Sequence, residues 1–345
     1  MRILFGIMSA VQPDRTVAAL CDAIGADHPI LIHHDFSQQP NFVVNRSNVA
    51  FVEKPVRTGW ANWGFTEGIQ NLVRHAMARD DWDFIQLLSP TCMPIRPISD
   101  FQAHVVASGA DYLIDGVDIS TNDNFLMSHG WRAFAQEGLL RHRVLRRARR
   151  WYLGDDSLVV NYAGLAFPVR SRLNEGPSRA LKARAGLAVM KMAERGRGYT
   201  HPFSDSFRCY AGSNWFGATR QACEYLMSMT EGTPLLEYIK RIHMPDEILY
   251  PSVFMNSDLK GGVGVHHISR FVDARPAWME TADLDEVLGS GKHFARKFPE
   301  DVSSDVRMEL ARRMSGLSKS GHAARTESVE RSATAAPQRA ALSGT

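Results

Sequence analysis

The sequence predicts an α/β fold, because its first segments alternate between strand and helix patterns. Residues 3–8 are an unbroken apolar run that is typical of a buried strand. A Pro-Asp turn follows, residues 16–24 are predicted to be helical, and residues 29–32 form a second buried apolar run. In such β-α-β units, ligands bind beyond the carboxyl ends of the strands, which is where Asp35 falls.

Later segments continue this alternation. Residues 51–52 are predicted to be a third short strand. The helix after it has apolar residues at helical spacing, namely Ile69, Leu72, Val73, Ala76 and Met77. An apolar run follows Asp83, and residues 112–114 are predicted to be a further strand.

Composition restricts the classes of protein that fit. A chain of 345 residues with 44% hydrophobic and 22% charged residues can bury one large core or two modest ones. A net charge of +3 is too small to indicate nucleic-acid binding. The four scattered cysteines indicate neither a zinc site nor a disulfide framework, and no apolar run is long enough to span a membrane. We therefore expect a cytoplasmic protein.

The stretch from Cys209 to Tyr250 is the strongest candidate for a functional site. A turn is predicted at residues 210–213, a short apolar strand at 214–216, and a helix capped by Thr219 after it. A second helix is predicted to begin at Met244-Pro245-Asp246-Glu247, where the helix dipole favours ionised carboxylates. Taken alone, these acidic residues also fit an ordinary helix start.

The motif G-S-x-W-F-x-x-T-R, followed after one helix by P-D-E, resembles the core-2/I-branching β-1,6-N-acetylglucosaminyltransferase family, which includes the peptide O-xylosyltransferases. The segments W-D-F before the apolar run, M-P-I-R after it and F-A-R-K-F near residue 296 resemble further family motifs in the same order. The resemblance implies a bacterial-type member with a GT-A-type glycosyltransferase fold, that is, a mixed and mostly parallel sheet flanked by helices. Residues 1–312 would be the catalytic domain, with a basic insert at about 139–200, and residues 313–345 a disordered tail.

The resemblance implies an inverting transfer of a sugar from a UDP donor to a hydroxyl group. Glu247 would be the general base that takes the proton of the attacking hydroxyl. Ser213, Asn214 and Trp215 would bind the acceptor, with the indole ring against a sugar face and the amide as a directional hydrogen-bonding group.

On the donor side, the resemblance implies that Asp35 lies by the uridine. Arg275 and Lys297 would bracket the diphosphate and stabilise the charge that grows on departing UDP, in place of a metal ion. Trp60 is either a neighbour of the nucleotide or a core residue, and Trp63 is predicted to pack beneath it.

No metal or other cofactor is expected. Asp81 and Asp83 match the D-x-D pattern by which many nucleotide-sugar transferases bind a divalent metal, but they precede the apolar run and so lie at the wrong end of the strand. Cys92 stands where the resembled family usually has aspartate.

A basic segment precedes the candidate site. Ten residues from Arg141 to Arg150 contain six arginines, and more cations follow at Arg179, Lys182, Arg184, Lys191, Arg195 and Arg197. A solvated helix face is the ordinary explanation. This density also suits an anionic acceptor, such as a lipid-linked or polymeric glycan, or a peripheral contact with the inner face of a membrane.

Two questions stay open at this stage. The donor sugar is N-acetylglucosamine, xylose or a hexose. A non-catalytic protein that binds a glycan or nucleotide on the same fold is the alternative to an enzyme, and the cysteine at position 92 favours it. A glycoside hydrolase fits less well, because a second carboxylate to act as the acid is lacking.

Overall fold

The computed structural model describes residues 1–121, 143–153, 158–162, 165–169, 172–195, 202–267, 271–272 and 275–314. The strands are β1 (Ile3–Ser9), β2 (Ile30–His34), β3 (Val49–Phe51), β4 (Phe84–Leu88), β5 (Met93–Pro94), β6 (Tyr112–Leu113), β7 (Gly116–Asp118), β8 (Leu158–Tyr162), β9 (Leu165–Val169), β10 (Tyr210–Gly212), β11 (Gly217–Thr219), β12 (Gly261–Gly262), β13 (His266–His267), β14 (Phe271–Val272), β15 (Arg275–Pro276) and β16 (Phe294–Ala295). The helices are α1 (Asp14–Ile24), α2 (Trp63–Met77), α3 (Ile98–Ser108), α4 (Arg143–Tyr152), α5 (Pro177–Arg195), α6 (Arg220–Thr230), α7 (Pro234–Ile239), α8 (Asp246–Met255), α9 (Leu284–Gly289) and α10 (residues 300–314).

The predicted α/β fold is confirmed. A mixed seven-stranded sheet has the order β12-β6-β11-β4-β1-β2-β3. The strands β3, β2, β1 and β4 run parallel to one another, while β11 is antiparallel to both of its neighbours, β4 and β6. The carboxyl ends of β1, β2 and β4 therefore meet at one edge of the sheet, where Asp35 and the loop after β4 lie.

Alternation along β1 explains the layered core. Its odd-numbered apolar residues pack into one hydrophobic cluster with α1 and α3, and Leu4 and Met8 pack into another with α2, α6 and α8. Burying each large apolar side chain stabilises the fold by about 1.5–3 kcal/mol. Gly6 permits close packing of α2 on the sheet, since a Cβ atom there would meet Leu72 and Leu87 at 2.8 Å.

The region from β10 to β11 corrects the predicted strand at residues 214–216. Tyr210–Gly212, predicted as a turn, forms β10 and pairs with β7, whereas residues 214–216 are irregular and the strand begins at Gly217. A Cβ atom on Gly212 would lie 2.0 Å from the carbonyl oxygen of Asp115, so the close approach is to the chain's own backbone. The Thr219 cap is confirmed, because its hydroxyl accepts from the N–H of Ala222 at 3.3 Å.

Helix α10 braces the loops at the edge of the sheet where the carboxyl ends of β1, β2 and β4 meet. Arg307 in α10 is buried, and its guanidinium donates to the carbonyl oxygens of Thr16 at 2.7 Å and Phe298 at 2.9 Å. Its neighbours Val306 and Leu310 share an apolar cluster with residues of α9 and with Phe298. Helix α10 therefore holds the segment 296–298 in place.

Part of the predicted basic insert is helical. Helices α4 and α5 pair with each other, whereas Arg141, Arg197 and the other undescribed residues of 139–200 lie outside the part that the structure describes. The predicted disordered tail begins too early, because residues 313–314 still belong to α10, and its remaining residues, 315–345, lie outside the described part. No described helix is both long and apolar enough to cross a membrane.

Candidate functional site

The amino end of α8 carries two carboxylates, as predicted. Asp246 and Glu247 occupy its first turn, where the free backbone N–H groups and the helix dipole favour negative charge. Asp246 is buried and accepts a hydrogen bond from the amide nitrogen of Asn214 at 2.8 Å. Glu247 is half-buried. The remainder of α8 is anchored in the core by buried Ile248, Leu249, Tyr250, Val253 and Phe254.

Arg296 is the functional candidate that sequence reasoning missed. Its guanidinium carbon lies 4.9 Å from the centroid of the Trp215 ring, within cation–π range. Burial lowers the pKa of Arg296, and the opposing influences come from Cys92, Glu247 and Asp246. A half-buried cation therefore lies within electrostatic reach of both carboxylates of α8.

Several polar atoms around Arg296 lack partners. Among the residues that the structure describes, Nε of Arg296, Nε1 of Trp215 and both ring nitrogens of His266 have no hydrogen-bond partner. Burial, together with the nearby charges of Arg296 and Lys292, lowers the pKa of His266 to about 3, so this ring is neutral at pH 7. We call Arg296, Trp215 and His266 the arginine cluster. Unpaired buried polar atoms are costly and point to a ligand or ordered water.

Trp215 does not lie where a sugar could stack on it. The ring is only 5% exposed, and Phe65 approaches it in an edge-on contact with the centroids 6.1 Å apart. Arg296 occupies one of its faces. This low exposure and the contact with Arg296 do not fit the predicted stacking of a sugar on the indole ring.

Ser213 and Asn214 hold the turn that leads to Trp215. The hydroxyl of Ser213 accepts from the N–H of Trp215 at 3.1 Å, and the N–H of Ser213 donates to the carbonyl of Asp115 at 2.8 Å. The amide nitrogen of Asn214 is occupied by Asp246. The predicted acceptor residues therefore lie together beside α8, and these observed contacts are internal.

Of the two cations predicted to bracket the diphosphate, the structure describes the side chain of Lys297 but only the backbone of Arg275. Lys297 is half-buried and directly follows Arg296, and its carbonyl accepts from the N–H of Met279 at 2.8 Å. The backbone of Arg275 lies in β15, which pairs with β14, and its side chain is outside the described part.

Asp35 organises a loop at the carboxyl end of β2. Its Oδ1 accepts from the backbone and hydroxyl of Ser37 at 3.0 and 2.6 Å. Its Oδ2 accepts from Gln38 at 2.6 Å and from the backbone and hydroxyl of Thr58 at 2.7 and 3.1 Å. Burial alone would raise the pKa of Asp35, but these hydrogen bonds outweigh it and lower the pKa below its usual range. The carboxylate is ionised and already well supplied with donors.

The loop that Asp35 holds extends in space from the carboxyl end of β2 to the start of α8. Trp60 follows Thr58, is 80% exposed and makes an edge-on contact with His243 at a centroid distance of 5.6 Å. The carbonyl of Ala61 accepts from the N–H of Met244 at 2.9 Å, just before α8. Trp60 is therefore a surface residue beside the start of α8, whereas Trp63 packs against the core.

Cys92 lies at the arginine cluster. It is fully buried, and its sulfur is 3.2 Å from both the backbone nitrogen and the hydroxyl of Ser89. Burial raises the pKa of the thiol despite the nearby charge of Arg296. The aspartate usual in the resembled family would place a carboxylate beside Arg296, and this chain places a neutral thiol there.

The D-x-D carboxylates lie at the opposite edge of the sheet. Asp81 pairs with Arg79, and Asp83 pairs with Arg2 at 3.1 Å. Among the described residues, no group of three or more His, Cys, Asp or Glu side chains is arranged to hold a metal ion.

Comparison of the chain with models of known protein families and with curated proteins finds no match.

Proposed function

We propose that this chain is an inverting, metal-independent glycosyltransferase of the GT-A type, which moves N-acetylglucosamine or xylose from a UDP donor to a hydroxyl group of a glycan, lipid-linked or protein acceptor. The observation that carries the proposal is the placement of Asp246 and Glu247 within electrostatic reach of Arg296, whose Nε atom has no described partner. Sugar transfer from a nucleotide needs both groups, a base for the acceptor and a cation for the leaving diphosphate.

The proposed reaction is one in-line displacement. The acceptor hydroxyl attacks the anomeric carbon of the donor, and the new oxygen–carbon bond forms as the bond to the β-phosphate oxygen of UDP breaks. The electron pair of the broken bond leaves with UDP, and the proton of the hydroxyl passes to Glu247. The resemblance assigns the role of base to Glu247, and the neighbouring Asp246 accepts a hydrogen bond from Asn214.

Arg296 extends the set of residues proposed to stabilise departing UDP. The resemblance assigns Lys297 and Arg275 to this role, and Arg296 is the direct neighbour of Lys297. A half-buried guanidinium offers fixed N–H donors in a medium of low polarity, where charge interactions are stronger than in water. The indole N–H of Trp215 could supply a further donor.

The architecture is compatible with a GT-A-type assignment. The sheet is mixed and mainly parallel in its first half, and Asp35 follows β2 at the edge where nucleotides bind in such folds. In this proposal Asp35 acts mainly by holding the loop that carries Trp60, because its oxygens are already supplied with donors.

Replacement of the base tests the proposal most directly. We expect Glu247→Gln to lower sugar transfer about a hundredfold or more while UDP affinity is retained, because the amide cannot accept the proton. The measurement is UDP release from UDP-GlcNAc and UDP-xylose with a panel of glycan acceptors, alongside calorimetric titration with UDP.

Glu237→Gln is the matched control. Glu237 also lies in the first turn of a helix, α7, but it is exposed and pairs with Lys240 at 2.8 Å. Transfer at near-normal rate by Glu247→Gln, or an equal loss in both variants, would contradict the assignment.

Titration of the protein with UDP and the two UDP-sugars, in EDTA and then with manganese, tests metal independence, the identity of the donor and the non-catalytic alternative. UDP binding that survives EDTA supports the cationic site, and a preference between the two UDP-sugars identifies the donor. UDP binding without transfer to any acceptor supports the non-catalytic alternative that Cys92 favours. Binding that requires manganese contradicts metal independence.

A further inference from the structure

Helix α4 presents a face of arginines to solvent. It contains five arginines and no acidic residue in ten positions. Leu145, Ala148 and Tyr152 form its buried side. The opposite side, at positions i, i+4 and i+7, consists of Arg143, Arg147 and Arg150, all exposed.

Helix α5 is apolar on two opposite sides. Its inner side contains Ala183, Gly186 and Met190, and it packs so closely on α4 that a Cβ atom on Gly186 would lie 2.3 Å from the carbonyl oxygen of Ala148. Its outer side has exposed apolar residues at positions i, i+4, i+7 and i+11, which are Leu181, Ala185, Ala188 and Met192. Leu181 is 70% exposed and Met192 is 63% exposed. We call these four residues the outer stripe.

Cations flank the outer stripe. On a helical projection Lys182 lies on one side of the stripe and Arg184 and Lys191 lie on the other. On the paired helix α4, Arg143 and Arg150 have no acidic partner among the residues that the structure describes. The outer side of α5 therefore joins an exposed apolar line to flanking positive charge, within a region that carries an excess of cations.

We propose that the α4–α5 pair docks on an anionic lipid bilayer through the outer side of α5, which lies in the plane of the interface with its outer stripe inserted among the headgroups and with Lys182 and Arg184 beside the stripe. A row of exposed apolar residues between cations is the pattern of helices that lie in the membrane interface. A soluble polyanion explains the arginines but gives no reason for exposed Leu181 and Met192. An anionic bilayer satisfies both, since lipid tails cover the apolar row and headgroups neutralise the cations.

Vesicle co-sedimentation of the full-length protein tests this proposal without using transferase activity, so its outcome is independent of the proposed function. We expect binding to vesicles of phosphatidylcholine with phosphatidylglycerol and little binding to phosphatidylcholine alone. The double change Lys182→Gln and Arg184→Gln, which removes the exposed cations beside the outer stripe, should lower partitioning about 25-fold, because each basic residue near an anionic surface contributes about a factor of five. The double change Leu181→Ser and Met192→Ser should lower it about tenfold or more, because the inserted apolar area is lost.

Matched controls test whether vesicle binding depends on this surface or only on the total charge and exposed apolar area of the protein. Arg46→Gln with Arg74→Gln removes the same net charge from arginines that pair with acidic residues elsewhere. Val106→Ser with Met308→Ser removes exposed apolar residues that are 57% and 64% exposed on α3 and α10. Both controls should bind anionic vesicles like the original protein, and circular dichroism should show that every variant remains folded.

Three outcomes would overturn the proposal. One is equal binding to both kinds of vesicle, and another is an equal loss in the α4–α5 variants and their controls. The third is concentration-dependent dimerisation that Leu181→Ser with Met192→Ser abolishes, in the absence of any lipid binding, since the outer stripe would then cover a second copy of the chain.

Discussion

Two arginines in this protein pack on tryptophan rings at nearly the same distance, yet their surroundings differ. Arg220 lies 4.7 Å from the ring centroid of Trp82, and Arg296 lies 4.9 Å from that of Trp215. Arg220 donates to the carbonyls of Met77, at 2.8 Å, and Arg79, and the indole N–H of Trp82 donates to Ala76 at 2.6 Å. In the second pair, Nε of Arg296 and the indole N–H of Trp215 have no partner among the described residues.

The difference distinguishes a pair whose hydrogen bonding is complete from a pair with unpaired donors. Backbone carbonyls complete the hydrogen bonding around Arg220, so this residue joins α6 to the end of α2 and the turn after it. Arg296 has the same chemistry, but it lies within the influence of the carboxylates of α8, and its Nε has no partner among the described residues. Because unpaired buried donors are costly, the missing acceptors are expected to come from a ligand or water.

The largest expected contrast concerns UDP affinity. Arg296→Met should weaken UDP binding about 30-fold or more, because loss of one partner from a desolvated charge pair costs at least about 2 kcal/mol. Arg220→Met should leave UDP affinity unchanged but lower the free energy of unfolding by about 1–3 kcal/mol, since the carbonyls of Met77 and Arg79 lose their donor. Calorimetric titration with UDP and denaturant unfolding measure the two effects.

The comparison fails if the two arginine variants behave alike. Equal losses of UDP affinity would mean that binding depends on overall stability rather than on Arg296. Unchanged UDP affinity in Arg296→Met would remove Arg296 from the proposed donor site and leave Lys297 and Arg275 as its cations.

His266 gives the arginine cluster a distinct pH dependence. Its pKa in the folded protein is about 3, well below the value of about 6.5 expected in the unfolded chain. Above pH 6.5 the ring is neutral in both states and costs no stability. As the pH falls from 6.5 toward 3, only the unfolded chain binds the proton, so the free energy of unfolding falls by up to about 1.4 kcal/mol per pH unit. His266→Gln should make the loss of stability between pH 6.5 and 4 less steep. An unchanged slope in denaturant unfolding across this range would show that the ring is not held neutral.

The smallest contrast concerns the two indole N–H groups. Trp82→Phe should cost about 1 kcal/mol more than Trp215→Phe, because only the first change removes a hydrogen bond and leaves the carbonyl of Ala76 unpaired. Differential scanning calorimetry of both variants measures the difference. If Trp215→Phe is as destabilising as Trp82→Phe, the indole of Trp215 has a bound partner, such as water, without added ligand.

Local patterns predicted much of the fold. The helix over Ile69 and Leu72 was identifiable from its spacing because one face of it must be apolar to cover the sheet. The Thr219 cap was predictable because a hydroxyl at that position serves the nearest free N–H groups. The irregular stretch at 214–216 was not predictable, because an apolar run such as Trp215-Phe216 is compatible with either a strand or a buried loop.

The candidate site was predicted in outline. Ser213, Asn214, Glu247 and Lys297 were identified through their resemblance to family motifs, and the structure places the first three around the start of α8. Arg296 was overlooked although it stands next to Lys297 in the same motif. Its spacing gave no sign of burial, which depends on the packing of Trp215 and on the loop that contains Cys92.

The sequence by itself determined the α/β class, the extent of the main helices and the carboxylates at the start of α8. These properties follow from periodicity and from backbone groups within a few residues of each other. Only the tertiary structure decided that β11 enters the sheet antiparallel between β4 and β6, that Asp35 is surrounded by donors from Ser37, Gln38 and Thr58, and that Nε of Arg296 lacks a partner among the described residues. Such outcomes depend on contacts between residues far apart in the chain, which local sequence patterns do not record.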